Sequence, residues 1–274
     1  MRQKQILYVT GLPRSGATLL CQLLSHHPDI DSQGTHSPLC AALVNLRQHL
    51  GQNDDLLAQL DHDVEATYQQ LIQACQGLLQ GWFAHCSSPW IANHSLAWLA
   101  QIEMVHLLDP QFRMVVCIRE LGQIYGSIEA QHQQTQLLNL PQRLAGLSRA
   151  ERAKKLFEPD GWVGSALRAL DAVQDLDAAL QSRLYYIVFE HFLSDPTAVL
   201  ADLYRWLELP EATFNPQQLA HTTSNHQSYH RLGYAPTTYR QINPMTHHPV
   251  PQRFDLTLKE NFTWYYSTFY PGLI

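Results

Sequence analysis

The chain contains 274 residues, of which 45% are hydrophobic and 15% are charged, and its formal net charge is −6. This composition excludes a disordered chain and a coiled coil, because it provides enough apolar side chains for a folded core. The negative net charge also argues against a general nucleic-acid-binding protein, since a phosphate backbone requires a basic surface.

Hydrophobic periodicity predicts strands that alternate with helices. Short apolar, β-branched runs predict buried strands at residues 5–10, 112–118 and 184–189, and a weaker strand at residues 88–92. Helical spacing predicts helices at residues 17–25, 38–50, 64–84, 96–108, 121–131 and 196–208, and a helical segment at residues 144–181 that is broken near residues 159–161. A turn-rich tail follows residue 210. Strands joined through helices predict a parallel sheet with helices on both faces, so we expect one three-layer α/β domain over residues 1–274.

The segment after the first strand has the features of an anion-binding loop. Residues 11–18, which we call the anion loop, read GLPRSGAT and lead directly into a helix. A tight loop of this kind directs backbone N–H groups to one point, and the helix dipole adds about half a positive charge. The spacing from Gly11 to Gly16 is P-loop-like and matches GxxxxGKS/T, but Ala17 replaces the lysine, which disfavours an ATPase or a kinase. Arg14 remains as a guanidinium that matches oxyanions; the structural alternative is a tight turn that happens to carry arginine.

A second cation follows the strand at residues 112–118. Arg119 leaves the carboxyl end of that strand, and Ser127 lies eight residues further along, on the predicted helix. A guanidinium and a hydroxyl placed in this way can converge on one phosphate. The structural alternative is an ion pair of Arg119 with Glu120 or Glu129.

Together these motifs resemble those of the PAPS-dependent sulfotransferase family. The sequence PRSGATL at residues 13–19 is similar to the family's PxSGTTxL loop, and most similar to the PRSGTTL branch, which includes tyrosylprotein sulfotransferases and many bacterial members. Arg119 and Ser127 match the first and last positions of the family's RDPRDVxxS element. The strand at residues 184–189 and the WLEL at 206–209 also resemble family elements, so the likeness extends from residue 6 to about residue 209.

The resemblance implies a fold and a set of donor-binding residues. The anion loop would bind the 5′-phosphosulfate of PAPS (3′-phosphoadenosine 5′-phosphosulfate), and Arg119 with Ser127 would bind its 3′-phosphate. A late loop in the tail would cover the nucleotide and contribute Arg231. The implied donor-binding residues are Arg14, Ser15, Gly16, Ala17, Thr18, Leu19, Arg119, Ser127 and Arg231. Ala17 replaces the first of the family's two threonines, so one hydroxyl donor is lost.

Two histidines are candidates for the chemistry, alongside Arg14, which would stabilise the leaving phosphate. His36 lies in the loop where the tyrosylprotein branch has a glutamate, and imidazole can act as a base near neutral pH. His94 lies where the family often has a lysine near the sulfonate; as an imidazolium it would donate to the sulfonate, and as a neutral ring it would act as the base. A solvated loop histidine and a residue at a helix N-terminus are the structural alternatives for His36 and His94.

Other features of the sequence set limits on the protein's environment. The five cysteines form no CxxC pair, which indicates a reducing, cytoplasmic environment and no thiolate zinc site. The N-terminal residues do not resemble a signal peptide, and no apolar run reaches the roughly 18 residues of a membrane span. The tail histidines fit no standard zinc spacing, so we expect no metal, and we interpret His247 and His248 as surface residues.

The expected function is transfer of a sulfuryl group from PAPS to a hydroxyl or amine, with release of adenosine 3′,5′-bisphosphate. The acceptor would be a small molecule, lipid, glycan or peptide, bound by helical segments at about residues 38–85 and 144–181, while the tail at about residues 210–274 would cover the nucleotide. The alternatives are a non-catalytic sulfotransferase-like nucleotide binder and, with less support, a P-loop small-molecule kinase. The sequence does not indicate an oligomeric state.

Overall fold

A five-stranded parallel sheet organises the part of the chain that the structure, a computed structural model, describes: residues 4–135, 144, 146–217, 219 and 241–273. The strands are β1 Gln5–Gly11, β2 Ile30–His36, β3 Trp90–His94, β4 Arg113–Ile118 and β5 Leu184–Val188. Their order across the sheet is β2-β3-β1-β4-β5, and each neighbouring pair is parallel. The predicted α/β fold is confirmed.

Helices cover both faces of the sheet because its central strands are apolar on both sides. In β1, Ile6 and Tyr8 pack into one core, while Leu7 and Val9 pack into a second core on the opposite face. All four side chains are buried, which is the pattern of a strand inside a parallel sheet. The result is the predicted arrangement of three layers.

The helices divide between the two faces. Those packed into the Leu7 core are α1 (Ala17–Leu24), α10 (Phe189–Ser194) and α11 (Pro196–Trp206), and most of the others pack into the Tyr8 core. The helices are α1 Ala17–Leu24, α2 Leu39–Leu50, α3 Asp54–His62, α4 Val64–Trp82, α5 Ile102–Leu108, α6 Leu121–Thr135, α7 Arg149–Phe157, α8 Trp162–Ala172, α9 Ala178–Gln181, α10 Phe189–Ser194, α11 Pro196–Trp206, α12 Gln252–Asn261 and α13 Thr263–Phe269. Within the described ranges, each helix is too short or too polar to pass through a lipid bilayer.

Several segments differ from the sequence predictions, which included neither α3 nor α10. The tail is not turn-rich throughout, because residues 252–269 form α12 and α13, which bury Leu258, Tyr265 and Tyr266 against the core. Residues 30–36, expected to be a turn, form the edge strand β2, which is held by pairing with β3 in spite of its glycine and its polar residues. The predicted helix at residues 96–108 begins late, with a 3₁₀ turn at Leu99–Gln101 that leads into α5.

A buried ion pair joins two helices on the Tyr8 side of the sheet. Arg152 of α7 donates from Nε and Nη2 to the two carboxylate oxygens of Glu129 on α6, and both distances are 2.8 Å. The two residues are 8% and 2% exposed, respectively. Removing one member of such a pair leaves an uncompensated charge in the core.

We therefore predict that Arg152→Ala lowers the free energy of unfolding by about 3–5 kcal/mol, measured by denaturant titration. The matched control is Arg205→Ala, because Arg205 forms an exposed pair with Asp202 on α11. That control should cost at most about 1 kcal/mol. Equal losses in the two variants would contradict the assignment of a buried, structural pair.

Candidate functional site

The residues with candidate chemical roles lie at the end of the sheet where the carboxyl ends of its parallel strands meet. The carboxyl ends of parallel strands meet at the same edge, which is where ligands of open α/β sheets bind. β2 ends at His36, β3 ends at His94, and β1 ends at Gly11, where the anion loop begins. β4 leads into Arg119 and β5 leads into Phe189. Because β1 lies between β3 and β4, the anion loop separates the two histidines from the arginine.

The anion loop has an unusual backbone conformation. Gly11 has a φ of 136°, and a Cβ there would lie 2.1 Å from the carbonyl oxygen of Cys117 on β4. Gly16 has a φ of 89°, and its Cβ would lie 2.4 Å from the Phe189 ring. Arg14 also lies in the left-handed region, with a φ of 63°, although it is not a glycine. A non-glycine residue in this region costs roughly 1–2 kcal/mol, and such strain concentrates at functional sites.

The anion loop and the second motif form one site. Arg14 donates from Nε to Ser127 Oγ at 3.1 Å. Arg119 donates from Nη1 to the backbone carbonyl of Arg14 at 2.9 Å. Arg119 and Ser127 are 6% and 5% exposed. The structure therefore brings together two guanidinium groups and a hydroxyl that are far apart in the sequence.

The carboxylates considered as partners of Arg119 have other roles. Glu129 forms the bidentate pair with Arg152. The Glu120 carboxylate accepts hydrogen bonds from two N–H groups at the start of α6, at 2.9 and 2.7 Å. Both glutamates therefore have partners other than Arg119.

The Phe189 side chain contacts both the Arg119 guanidinium and the anion loop. Its ring lies under the Arg119 guanidinium, with 4.5 Å between the Arg119 Cζ atom and the ring centroid. The same ring occupies the space beside Gly16 that a side chain would need. A cation over an aromatic face is attracted by about 0.5–2 kcal/mol. From the sequence, Phe189 was interpreted as part of a strand that indicates the fold, and its contact with the site was not predicted.

The two candidate histidines are neighbours at the ends of β2 and β3. Their ring centroids are 5.6 Å apart, and His36 Nε2 lies 3.3 Å from Ser95 Oγ. His36 is exposed, whereas His94 is 7% exposed. Within the part of the chain that the structure describes, neither ring nitrogen of His94 has a hydrogen-bond partner. A cavity of about 10 Å³, the space of a single water molecule, borders His94 together with Asp31 and Asn93.

The surroundings of both histidines favour the neutral imidazole. Burial, followed by repulsion from His36, lowers the pKa of His94 to about 3. Although His36 is exposed at the end of β2, desolvation by the protein around its ring also lowers its pKa from the usual 6.5. At neutral pH both rings are therefore uncharged, which is the form that a general base requires.

The chain is similar to known proteins in sequence and in fold. The model of the sulfotransferase family matches residues 7–213, which is more than half of the chain. The chain belongs to the sulfotransferase family. No curated protein sequence matches it significantly. The similarity to the PRSGTTL branch in particular stays a prediction.

Solved sulfotransferase structures share the fold of this family member. Sulfotransferase STF9 from Mycobacterium avium has a TM-score of 0.54 at 17% identity, covering 98% of this chain and 78% of that one. A sulfotransferase from Alicyclobacillus acidocaldarius has a TM-score of 0.55 at 16% identity, covering 97% of this chain and 94% of that one. The sulfotransferase domain from the curacin biosynthetic pathway has a TM-score of 0.55 at 14% identity, covering 96% and 99%. At these identities the likeness establishes the fold alone.

In this sulfotransferase-family chain, three tyrosines near the C-terminus hold the turn that carries Arg119. We call Tyr265, Tyr266 and Tyr270 the tyrosine clamp. Tyr265 donates to the Arg119 carbonyl at 2.6 Å, and Tyr266 donates to Glu120 Oε1 at 2.5 Å. Burial, followed by nearby acidic and tyrosine side chains, raises the pKa of all three hydroxyls, so they remain protonated donors.

The third clamp residue, Tyr270, contacts the Arg119 turn indirectly, through the carboxylate of Glu190. Tyr270 donates to Glu190 Oε2 at 2.7 Å, and Glu190 Oε1 accepts from the Glu120 backbone N–H at 3.3 Å. Sequence analysis missed the whole clamp. Its one signal was the aromatic-rich run TWYYSTFY at residues 263–270.

The remaining expectations concern the tail. Arg231 lies outside the described residues, so its donor-binding role stays a prediction. Of the two histidines interpreted as surface residues, His247 is exposed, but His248 is partly buried. Sequence analysis did not anticipate this burial, which is caused by packing against α6.

We predict that Tyr266→Phe lowers the free energy of unfolding by about 1–3 kcal/mol, because the buried Glu120 carboxylate loses a hydrogen-bond donor while the ring is kept. Chemical denaturation measures this loss. The control is Tyr68→Phe, since Tyr68 is 44% exposed on α4. If Tyr266→Phe were as stable as the control variant, the clamp would not support the Arg119 turn.

Proposed function

We propose that this protein transfers a sulfuryl group from PAPS to a hydroxyl or amine acceptor and releases adenosine 3′,5′-bisphosphate. One observation carries the proposal: Arg14, Ser127 and Arg119 are joined by hydrogen bonds at the end of β4, beside the anion loop. A donor that carries phosphate groups at both the 3′ and the 5′ position of its ribose needs two adjacent anion-binding sites. The loop and the Arg119–Ser127 pair offer them at the point where the chain order across the sheet reverses.

The anion loop is suited to the 5′-phosphosulfate end of the donor. Its proposed ligands are backbone N–H groups of the loop and of the first turn of α1, together with the side chains of Arg14 and Thr18. The Ser15 hydroxyl and the Ser15 backbone N–H both donate to the Leu12 carbonyl, at 2.6 and 3.3 Å, so we assign Ser15 to shaping the loop. Thr18 keeps one of the two hydroxyls that the family pattern has at this point, and Ala17 contributes backbone alone. PAPS would supply the activated sulfuryl group.

The chain's own residues would provide positioning and charge. Arg119 and Ser127 would hold the 3′-phosphate, since a guanidinium and a hydroxyl together satisfy several phosphate oxygens. Arg14 would stabilise the negative charge that grows on the leaving phosphate. With cations supplied by side chains, we propose that the reaction proceeds without a metal ion.

His36 and His94 are the proposed bases for the acceptor's proton. His36 is the exposed ring, so an acceptor in the site reaches it first. His94 has a pKa lowered to about 3, so it remains uncharged and does not replace the positive charge of a lysine. The neutral alternative, in which His94 is itself the base, remains open alongside His36.

A non-catalytic nucleotide binder is the second candidate function. It is favoured by the buried, uncharged His94 at the place of a cation and by the hydroxyl lost at Ala17. Such a protein would keep the anion loop, Arg119 and Ser127 but would not transfer sulfate. A P-loop kinase has less support, because Ala17 stands at the position of the phosphate-binding lysine.

The acceptor pocket is proposed to lie among the helices of residues 38–85 and 144–181. Within the first of these segments, Leu57, Val64, Tyr68 and Trp82 expose apolar side chains on α3 and α4. The proposed acceptor is a small molecule, a lipid, a glycan or a peptide. We also propose a cytoplasmic location, which is supported by five cysteines that are all free thiols.

Calorimetric titration with adenosine 3′,5′-bisphosphate tests the donor site. We expect a Kd on the order of micromolar, weaker binding of AMP, and a loss of roughly 10- to 100-fold in Arg119→Ala, because a charged hydrogen bond to phosphate is removed. The control is Arg113→Ala, since Arg113 lies at the opposite end of the same strand. No binding of the bisphosphate, or a preference for magnesium-ATP, would overturn the proposed function.

The pH dependence of sulfate transfer distinguishes the two candidate bases. A base acts when it is unprotonated, so the rate falls as the pH falls through its pKa. If His36 is the base, kcat/KM declines at a pH below the usual histidine value of 6.5. If His94 is the base, the decline moves towards about pH 3.

Substitution of each ring completes this test. We expect the variant of the true base, His36→Gln or His94→Gln, to lose about 10²–10⁴-fold in rate while keeping its affinity for adenosine 3′,5′-bisphosphate. Radiolabelled PAPS with a panel of phenols, alcohols and amines provides the assay, and His62→Gln on the exposed end of α3 is the control. Full turnover in both variants would contradict the assignment. No transfer by the wild type, with bisphosphate binding intact, would favour the non-catalytic binder.

A further inference from the structure

A segment beyond the core of the fold is fixed against the helix that carries Ser127. The backbone N–H of His248 donates to Gln123 Oε1 at 2.8 Å, and Gln123 Nε2 donates back to the His248 carbonyl at 3.2 Å. These two reciprocal hydrogen bonds fix the backbone of His248 against Gln123 of α6, which lies one helical turn before Ser127.

The close approach requires a glycine on the helix. A Cβ at Gly126 would lie 2.3 Å from the Cβ of His248, so any larger residue would displace the histidine. Gly126 immediately precedes Ser127 in the chain. His248 is therefore packed directly against the helical turn that presents the Ser127 hydroxyl to Arg14.

The charges around His248 are predominantly positive. Burial, followed by Arg119, Arg14 and then His247, lowers the pKa of His248. Arg149 Nη2 also approaches, donating to the carbonyl of Pro249 at 3.2 Å. The nearby acidic groups, which flank Gly122 one turn earlier on α6, are engaged elsewhere: Glu120 with Tyr266, and Asp255 with Lys259.

We propose that the His248 imidazole is a third ligand of the phosphate held by Arg119 and Ser127, and that it binds this phosphate as the imidazolium. The proposal rests on the proposed function, because the phosphate in question is the 3′-phosphate of PAPS or of adenosine 3′,5′-bisphosphate. His248 thus becomes a specificity-determining residue, since it distinguishes a 3′-phosphorylated nucleotide from AMP.

The sign of the pH effect follows from the charges. In the free protein the neighbouring cations oppose protonation of His248. A phosphate dianion neutralises these cations and favours the imidazolium, so binding is coupled to proton uptake. The affinity for a 3′-phosphorylated nucleotide should therefore rise, relative to a variant without the histidine, as the pH falls from about 8 to about 6.

The experiment compares three proteins and two nucleotides by calorimetry. Wild type, His248→Gln and His247→Gln are each titrated with adenosine 3′,5′-bisphosphate and with AMP at about pH 8 and about pH 6. His247→Gln is the matched control, because His247 is the adjacent histidine and is exposed. The ligand's own phosphate titrates near pH 6 in every protein, so the difference from His248→Gln isolates the histidine.

We expect His248→Gln to bind the bisphosphate roughly tenfold more weakly at about pH 6, to show a smaller loss at about pH 8, and to bind AMP as the wild type does. His247→Gln should match the wild type throughout. Equal losses for both nucleotides, or no loss for the bisphosphate, would overturn the role of His248 while leaving the proposed function intact. Failure of the wild type to bind the bisphosphate would overturn both proposals.

Discussion

One hydrogen bond, from the Arg119 guanidinium to the backbone carbonyl of Arg14, connects the two halves of the site. It joins the end of β4 to the anion loop after β1, two strands that are neighbours in the sheet. The bond also helps to hold Arg14 in a left-handed conformation that its side chain disfavours. Both arginines thereby come to lie beside Ser127, and the sulfotransferase-type donor site that we propose depends on this junction.

Burying an arginine at a strand end requires support from several directions, and the fold provides it. Phe189 lies under the guanidinium, while the tyrosine clamp holds the backbone carbonyl of Arg119 and the carboxylate of the next residue. Helix α13 thus supports the backbone of the proposed donor site, although it lies outside residues 7–213, which the family model matches. On the other side of β1, burial keeps His94 uncharged, so it is not a source of positive charge beside the proposed donor site.

The parts of the site that are encoded locally could be predicted from the sequence. The strand, glycine-containing loop and helix around Arg14 are consecutive, and the eight-residue step from Arg119 to Ser127 lies within one strand–helix connection. The clamp could not be predicted, because Tyr265 and Arg119 are 146 positions apart and an aromatic-rich tail does not indicate what it contacts. His248 was interpreted as a surface residue for the same reason, since its partner Gln123 lies 125 positions away. The strand β2 was missed because its pairing with β3, and not its own composition, makes it a strand.

Phosphorus NMR of adenosine 3′,5′-bisphosphate tests the central claim most directly, because the two phosphates give separate signals. Titrated into the wild-type protein, both signals should move. In Ser127→Ala, the displacement of the 3′ signal should fall sharply while the 5′ signal still responds to the anion loop. If the 3′ signal moves equally in both proteins, or if neither signal moves in the wild type, the junction of Arg14, Ser127 and Arg119 is not the phosphate site.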